Sequence, residues 1–392
     1  VVNRYAAIAL TVAAFFLVVM AVLVNSPTLF YMATAVIVTL AASRLQAWLS
    51  VRGLRFERSV PPAVTVGEVV DIHVTVWSER RIQRPLVTVV DALPRRLAVA
   101  DLTPSVPVAP SFDQPIVASY RFRPLRRGRF TWSGLSVVGT DALGLVTLSH
   151  AYKTEPVELT VYPAPVPISV EVSPSSGWGA SDLEAGRAKG SGLEPTGTRE
   201  YVEGDPPRFV HWPASARTGK VMVKEFESGT GATIAYFLQR DRALASAKKY
   251  SPFEAFCAHA MFLATDHVRR GGLVYFPQLE EPSVLLQTPA LRERNVREVL
   301  TDIQPDAGSL LSDDLARGLA RPGQTVLLFV AAQDPALPGV LARLGDVRKA
   351  VIVYDVQKYG VPEASAADPE YIRQLEAAGA RVFVAPHTEV GT

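Results

Sequence analysis

The sequence predicts a multidomain protein: two transmembrane helices, an antiparallel β-sandwich, then a doubly wound α/β domain. Three observations carry this. Two apolar runs open the chain, period-two alternation fills the next hundred or so residues, and strand and helix patterns alternate after about residue 233. The expected boundaries are 1–50 for the helical hairpin, 51–165 for the sandwich, 166–197 for a linker or mobile loop, 198–232 for a polar segment and 233–392 for the α/β domain. A chain of 392 residues is long enough for several such cores.

Ala6 to Val24 is about nineteen residues without a charge, enough to cross the hydrocarbon core as a helix. Asn25-Ser26-Pro27 breaks it, and Thr28 to about Leu45 is a second, shorter run, with Arg44 near its end. A cleaved signal peptide followed by a buried helix is the alternative; the second run and the lack of a small-x-small site after Val24 argue against it. Arg4 precedes the first run and Arg44, Arg52, Arg55 and Arg58 follow the second, with no charge in the turn between. The positive-inside rule then puts the N-terminus and everything after about residue 50 in the cytoplasm, at a cell or plasma membrane.

Val70 to Val76 alternates strictly, and Leu86–Val90, Ile116–Phe122, Phe130–Val138 and Val157–Val161 are further β-branched or aromatic runs punctuated by Pro and Gly. These predict the sandwich. Past a Pro-, Ser- and Gly-rich stretch, Thr233–Leu238, Leu273–Phe276, Val326–Val330, Val351–Tyr354 and Arg381–Val384 read as strands. Helices are expected from Pro252 (capped by Ser251, with Glu254 completing a capping box), from Pro289, after a cap at Ser312-Asp313-Asp314, and from Pro369 to Gly379.

Thr198 to Glu227 is different in kind. Ten charged residues of both signs stand there with Tyr201, His211 and Trp212, and no helical or strand period appears before Val221. An ordered, loop-rich segment entering a strand is expected, because such backbone must find polar partners. Its run of Arg199, Glu200, Tyr201, Gly204, Asp205, Arg208, Trp212, Ser215, Ala216, Arg217, Thr218, Gly219, Lys220, Val223, Glu225 and Phe226 resembles the signature of the bacterial family known as domain of unknown function fifty-eight. The resemblance extends back through Arg127-Gly128-Arg129-Phe130, Asp141-Ala142-Leu143-Gly144-Leu145 and Tyr162-Pro163.

That resemblance implies a von Willebrand factor type A-like C-terminal domain. It also implies an adaptor or scaffold working beside a MoxR-type AAA+ ATPase in protein assembly or maturation, often with a transglutaminase-like membrane protein. The metal-binding loop of such domains, Asp-x-Ser-x-Ser, corresponds here to Gln239-Arg240-Asp241-Arg242-Ala243, which lacks the serines and reads as degenerate at Asp241. No metal or other cofactor is expected.

Three readings of the polar segment stay open. Arg199, Glu200, Tyr201, Asp205, Arg208, His211, Trp212, Arg217 and Lys220 form a partner-docking surface, or a network of charge pairs joining domains, with Gly204 and Gly219 as structural turns. Alternatively Asp205, His211 and Arg217 line a catalytic site between domains, although no nucleophile–base pair or phosphate loop is recognisable. For the protein as a whole, a metal-dependent ligand-binding module is a further alternative, and it would need oxygen ligands that the loop at Asp241 does not provide. The formal net charge of +2, without a basic run interleaved with aromatics, argues against nucleic acid. The single cysteine, Cys257, precludes an internal disulfide, and with His259 and His267 it lies in a helix whose neighbours predict core packing rather than metal ligation.

Overall fold

The computed structural model describes residues 4–81, 84, 86–94, 96–97, 104–112, 114–170, 195–200, 210–226, 231–245, 251–280, 288–305, 310–318, 320, 324–345 and 347–388. Val1–Tyr162 forms one compact unit and Pro163–Val390 a second.

The first unit opens with α1 (Arg4–Leu23) and α2 (Pro27–Ser50), which pack against each other. Asn25 turns the chain between them at φ 51°, a left-handed conformation that a short amide side chain tolerates. The buried side chains here are small, Ala14, Ala21 and Ala33, and let the two backbones approach closely. Phe15, Phe16, Phe30, Tyr31 and Val38 are exposed. By length and composition Pro27–Ser50 is able to cross a membrane; Ala7–Leu23 is a shorter apolar helix.

Eight strands follow: β1 (Leu54–Ser59), β2 (Ala63–Thr65), β3 (Val70–Ser78), β4 (Val87–Asp91), β5 (Ser105–Val108), β6 (Ile116–Phe122), β7 (Gly128–Thr140) and β8 (Thr147–Tyr162). They make a sheet ordered β1-β3-β6 and a second ordered β2-β8-β7-β4-β5. Every pairing is antiparallel except the short β2–β8 contact, which is parallel. Alternation works as expected: β3 buries Val70, Ile72, Val74 and Val76 and exposes His73.

A buried polar cluster ties the sheets face to face. Arg58 on β1 donates to Asp91 Oδ1 on β4 at 2.9 Å, with both side chains essentially inaccessible. Tyr120 on β6 donates to the other Asp91 oxygen at 2.6 Å. Burial pushes the Asp91 carboxyl up, while the Tyr120 and Arg58 contacts pull it back down.

The end of α2 is fastened to the same unit. Ser43, Ala47 and Ser50, spaced three and four apart on one face of the helix, are buried. The buried Arg84 guanidinium donates to the carbonyls of Leu49 (2.7 Å), Ser50 (3.1 Å) and Gly53 (3.1 Å) and to Ser78 Oγ (2.9 Å). It thereby satisfies carbonyls that a helix C-terminus leaves unpaired. Tyr152 on β8 adds a hydrogen bond to the Val51 carbonyl at 2.7 Å. On β7 a glycine at 139 lets the helix end come close, because a Cβ there would collide with Ser50 Oγ and come within 2.7 Å of Val51 Cγ1 unless those side chains shifted.

In the second unit, β9 (Pro195–Glu200) pairs antiparallel with β10 (Met222–Phe226), with α3 (Trp212–Thr218) between them in sequence. The first residues of β9 fall inside the stretch 166–197 expected to be a linker or loop. A separate five-stranded sheet, ordered β12-β11-β13-β14-β15, comprises β11 (Gly231–Leu238), β12 (Gly272–Tyr275), β13 (Thr325–Val330), β14 (Arg348–Val353) and β15 (Ala380–Val384). All its pairings are parallel. In chain order this is 2-1-3-4-5, a common doubly wound arrangement.

The uninterrupted apolar run of β13 is buried on both faces. Leu327 and Phe329 join one core cluster, and Val326, Leu328 and Val330 the other. The surrounding helices are α4 (Pro252–Arg269), α5 (Pro289–Asp302), α6 (Leu311–Ala316), α7 (Leu337–Arg343) and α8 (Pro369–Ala377). Ser251 Oγ accepts from Glu254 N at 3.2 Å, so the expected cap of α4 is present. The cap expected at Ser312 is displaced: α6 starts after Leu310, whose N–H donates to the Asp313 carboxylate at 3.2 Å. Ser312 lies inside the helix, where its N–H donates to Asp334 Oδ2.

Candidate functional site

The polar segment is less loop-like than its composition suggests. Trp212–Thr218 is a two-turn helix, a departure from the loop expected there. Pro213 in the first turn supplies a pre-set φ, and Gly219 ends the helix in a left-handed conformation at φ 70°. That Pro-to-Gly spacing was the available signal, and hydrophobic periodicity could not reveal it because α3 buries no side chain.

Three polar residues of and before α3 are paired locally. His211 occupies the N-cap position and its Nδ1 accepts from Ala214 N at 3.0 Å. Its backbone N–H donates to the Met222 carbonyl at 2.7 Å, drawing the helix start onto β10. Ser215 Oγ accepts from Met222 N at 2.8 Å and donates to the His211 carbonyl at 3.1 Å. Thr218 Oγ1 donates back to the Ala214 carbonyl at 3.0 Å. These residues frame a small platform of helix, left-handed turn and strand.

The platform faces solvent. Trp212 is 70% exposed, Val221 is 48% exposed, and Arg217 and Lys220 are exposed with them. Of the residues singled out from the sequence, His211, Trp212, Arg217, Gly219 and Lys220 are therefore brought together. Arg199 and Glu200 lie on β9 opposite Val223 and Met222, with their side chains outside the described part. Tyr201, Gly204, Asp205 and Arg208 lie outside the described residues altogether.

Asp241 belongs elsewhere. It begins a short 3-10 turn after β11 and its Oδ1 accepts from Ala243 N at 3.0 Å. Beside it, at the carboxyl ends of β11 and β13 where the strand order reverses, the buried Gln239 side chain fills the crevice. Its Oε1 accepts from Ala331 N (2.8 Å) and Ala332 N (3.0 Å), and its Nε2 donates to the Ala332 carbonyl at 3.0 Å. The buried Asp334 accepts from Ser312 N and Ala336 N. Of the oxygens near this crest, Asp241 Oδ1, Gln239 Oε1 and both Asp334 carboxylate oxygens accept from backbone N–H groups. Among the described residues no group of three or more His, Cys, Asp and Glu converges to hold a metal. This crest network escaped the sequence, where Gln239 and Asp334 are merely polar residues after apolar strands.

The buried histidine and cysteine of α4 have structural surroundings. Cys257 is fully buried, and His259 Nδ1 lies 2.7 Å from the Tyr354 hydroxyl. Burial lowers the His259 pKa to about 4, keeping the ring neutral.

Fold and platform together describe a helical hairpin, a β-rich body and a doubly wound α/β body entered through an exposed helix–strand platform. Residues 197–323 match the family model described as "Protein of unknown function DUF58". The match takes in the platform and the α/β body through α6, and supports the family resemblance of the polar segment. A comparison with curated proteins gave no match.

Among solved structures the likeness is weak. The CARDB domain of the PF1109 protein from Pyrococcus furiosus is 15% identical, covering 29% of this chain and 94% of that one at a TM-score of 0.21. A beta-glucosidase from Listeria innocua is 14% identical, covering 28% of this chain and only 16% of its own at a TM-score of 0.18. A point mutant of the SrpA adhesin from Streptococcus sanguinis is 16% identical, covering 34% and 73% of the two chains, also at 0.18. At such scores none of them bears on fold or function.

Proposed function

We propose that this protein is a membrane-anchored adaptor whose helix–strand platform docks a protein partner on the cytoplasmic side, with a MoxR-type AAA+ ATPase as the expected partner. The observation that carries the reading is the exposure of Trp212, with Arg217 and Val221 also exposed, on a framework in which His211 Nδ1 and the Ser215 hydroxyl are spent internally. Trp and Arg are the residue types that dominate binding energy at protein interfaces. A catalytic role for His211 is less well supported, since its Nδ1 is engaged as a helix cap.

Anchoring is by α1 and α2 as a two-span hairpin. Its largely exposed apolar surface and its small-residue contacts suit lipid, and the arginines after α2 favour the cytoplasmic side for the bulk of the chain. The α/β body, von Willebrand type A-like by family resemblance, is then a binding module, and a transglutaminase-like membrane protein is a further candidate partner. No nucleic acid and no cofactor enter this reading.

The test uses the full chain in lipid nanodiscs, offered a purified MoxR-type ATPase with ATP or ADP. Wild-type chain retains the ATPase in a nucleotide-sensitive manner, and Trp212→Ala abolishes retention with an unchanged melting curve. Equal retention by wild type and Trp212→Ala overturns the platform as the docking site.

A further inference from the structure

The loop between β7 and β8 has no assigned task, yet it is built firmly and ends in an exposed leucine. Asp141 accepts from Leu143 N (3.2 Å) and Val146 N (2.7 Å), and backbone bonds from Asp141 to Val146 and from Gly144 to Asp141 close the turn. Leu143 stands at its tip, 62% exposed. The loop leans on α2: Ala142 N donates to Gln46 Oε1 at 3.1 Å. Against the upward push of burial, the Val146 N–H and Ser43, which lies close to Asp141, help hold its carboxyl below the ordinary carboxylate range. Ser43 lies seven residues before Ser50, the last residue of α2. At 1.5 Å per residue the loop therefore overlaps the final ~10 Å of the helix, on the side toward its apolar stretch.

The surroundings have the chemistry of a bilayer interface. Trp48 is 42% exposed with the Arg52 guanidinium 5.8 Å from its ring centroid. Arg44 and Arg52 are exposed on and just after α2; Arg80 is exposed beside Gly53, at whose position an added Cβ would lie 3.4 Å from Arg80 Nε, and the adjacent Arg81 is exposed with its guanidinium 5.1 Å from the Phe112 ring centroid. The acidic groups in this band are engaged: Glu79 pairs with Arg55, and Asp141 holds its own loop. The balance left on the rim is positive.

We infer that the Leu143 loop and the arginine rim around the end of α2 form a peripheral contact with anionic lipid, Leu143 entering the headgroup layer while the arginines meet lipid phosphates. This rests on the reading of α2 as a membrane anchor and adds a second contact with the same membrane. Continuity with the apolar helix and the sign of the rim charge select a lipid surface as the occupant.

The experiment places an environment-sensitive fluorophore at Leu143→Cys, Glu158→Cys or Val38→Cys in the full chain. The chain is reconstituted in phosphatidylcholine vesicles with and without phosphatidylglycerol, and shallow brominated lipids serve as quenchers. Cys257 is buried, and a chain without added cysteine controls for its labelling. Glu158 lies on β8 far from the loop, opposite Thr131, and is exposed. The expected result is a blue-shifted Leu143 probe, quenched several-fold more than the Glu158 probe, with quenching enhanced by phosphatidylglycerol and reduced by Arg80→Gln/Arg81→Gln. A Leu143 probe that behaves like the Glu158 probe while the Val38 probe is quenched overturns the inference and leaves the anchor standing. An unquenched Val38 probe overturns the anchor and the inference together.

Discussion

His259 shows how far a single residue's surroundings set its chemistry. Its ring is fully buried against Tyr354, and its pKa falls to about 4 from the ordinary 6.5. A His depressed on folding contributes stability that is present above pH 6.5 and lost as pH falls toward 4, because the unfolded chain takes up the proton first. Between pH 7 and pH 5 the second unit is expected to lose roughly 2 kcal/mol from this group. Hydrogen exchange of α4 and β14 at the two pH values measures it, and His259→Gln removes that part of the pH dependence. At the same scale, Ser215→Ala takes away the acceptor of Met222 N and is expected to cost about 1 kcal/mol of local opening free energy, read by exchange at 211–222. Gly219→Ala forces a Cβ into a left-handed turn at a similar cost, about 1 kcal/mol by the same readout.

Elements were legible where burial wrote a period into the sequence. The alternation of β3 and the solid apolar run of β13 announce their strands because core contact constrains each residue. Helix α3 was invisible to the same reasoning because its ends, not its faces, define it. Helix α7 carries Pro338 and Gly339 in its first turn, residues that mask a helical pattern in so short an element. The displaced start of α6 arises because Asp334, distant in sequence, claims the Ser312 N–H. The arginine–aspartate–tyrosine cluster between the sandwich sheets could not be foreseen either, since Arg58, Asp91 and Tyr120 are far apart in the chain. Its removal is a sharp test. Arg58→Met alone strands a buried carboxylate and is expected to destabilise the first unit by about 3–5 kcal/mol, whereas adding Asp91→Leu recovers part of the loss. Chemical denaturation followed by Trp fluorescence distinguishes the two.

For the whole molecule, the chain reads as three kinds of text, and composition separates them well: lipid-like, alternating, then strand–helix. The candidate site was harder. Its residues were singled out by their density of charge and aromatics, but only contacts show that His211 and Ser215 build the frame while Trp212 is left outward. At this scale the prediction concerns the join between helix and sandwich. Arg84→Met leaves the carbonyls of Leu49, Ser50 and Gly53 without their buried donor and is expected to cost about 2–4 kcal/mol. Gly139→Ala wedges the same join from the opposite side and is expected to cost about 1–3 kcal/mol. Melting of the full chain in detergent reports both, with protection at 47–54 lost first.

The same join makes α2 and the sandwich a single lever. With Arg84 gripping three carbonyls and Tyr152 a fourth, a tilt of the helix is passed on to the strands that hold it. A change of about 10° in the tilt of α2 would swing the far end of β8, ten residues beyond Tyr152, through roughly 6 Å, taking that arm as about 33 Å at 3.3 Å per residue. If α2 is the membrane anchor proposed above, strain in the surrounding bilayer is thereby converted into displacement about 30 Å away.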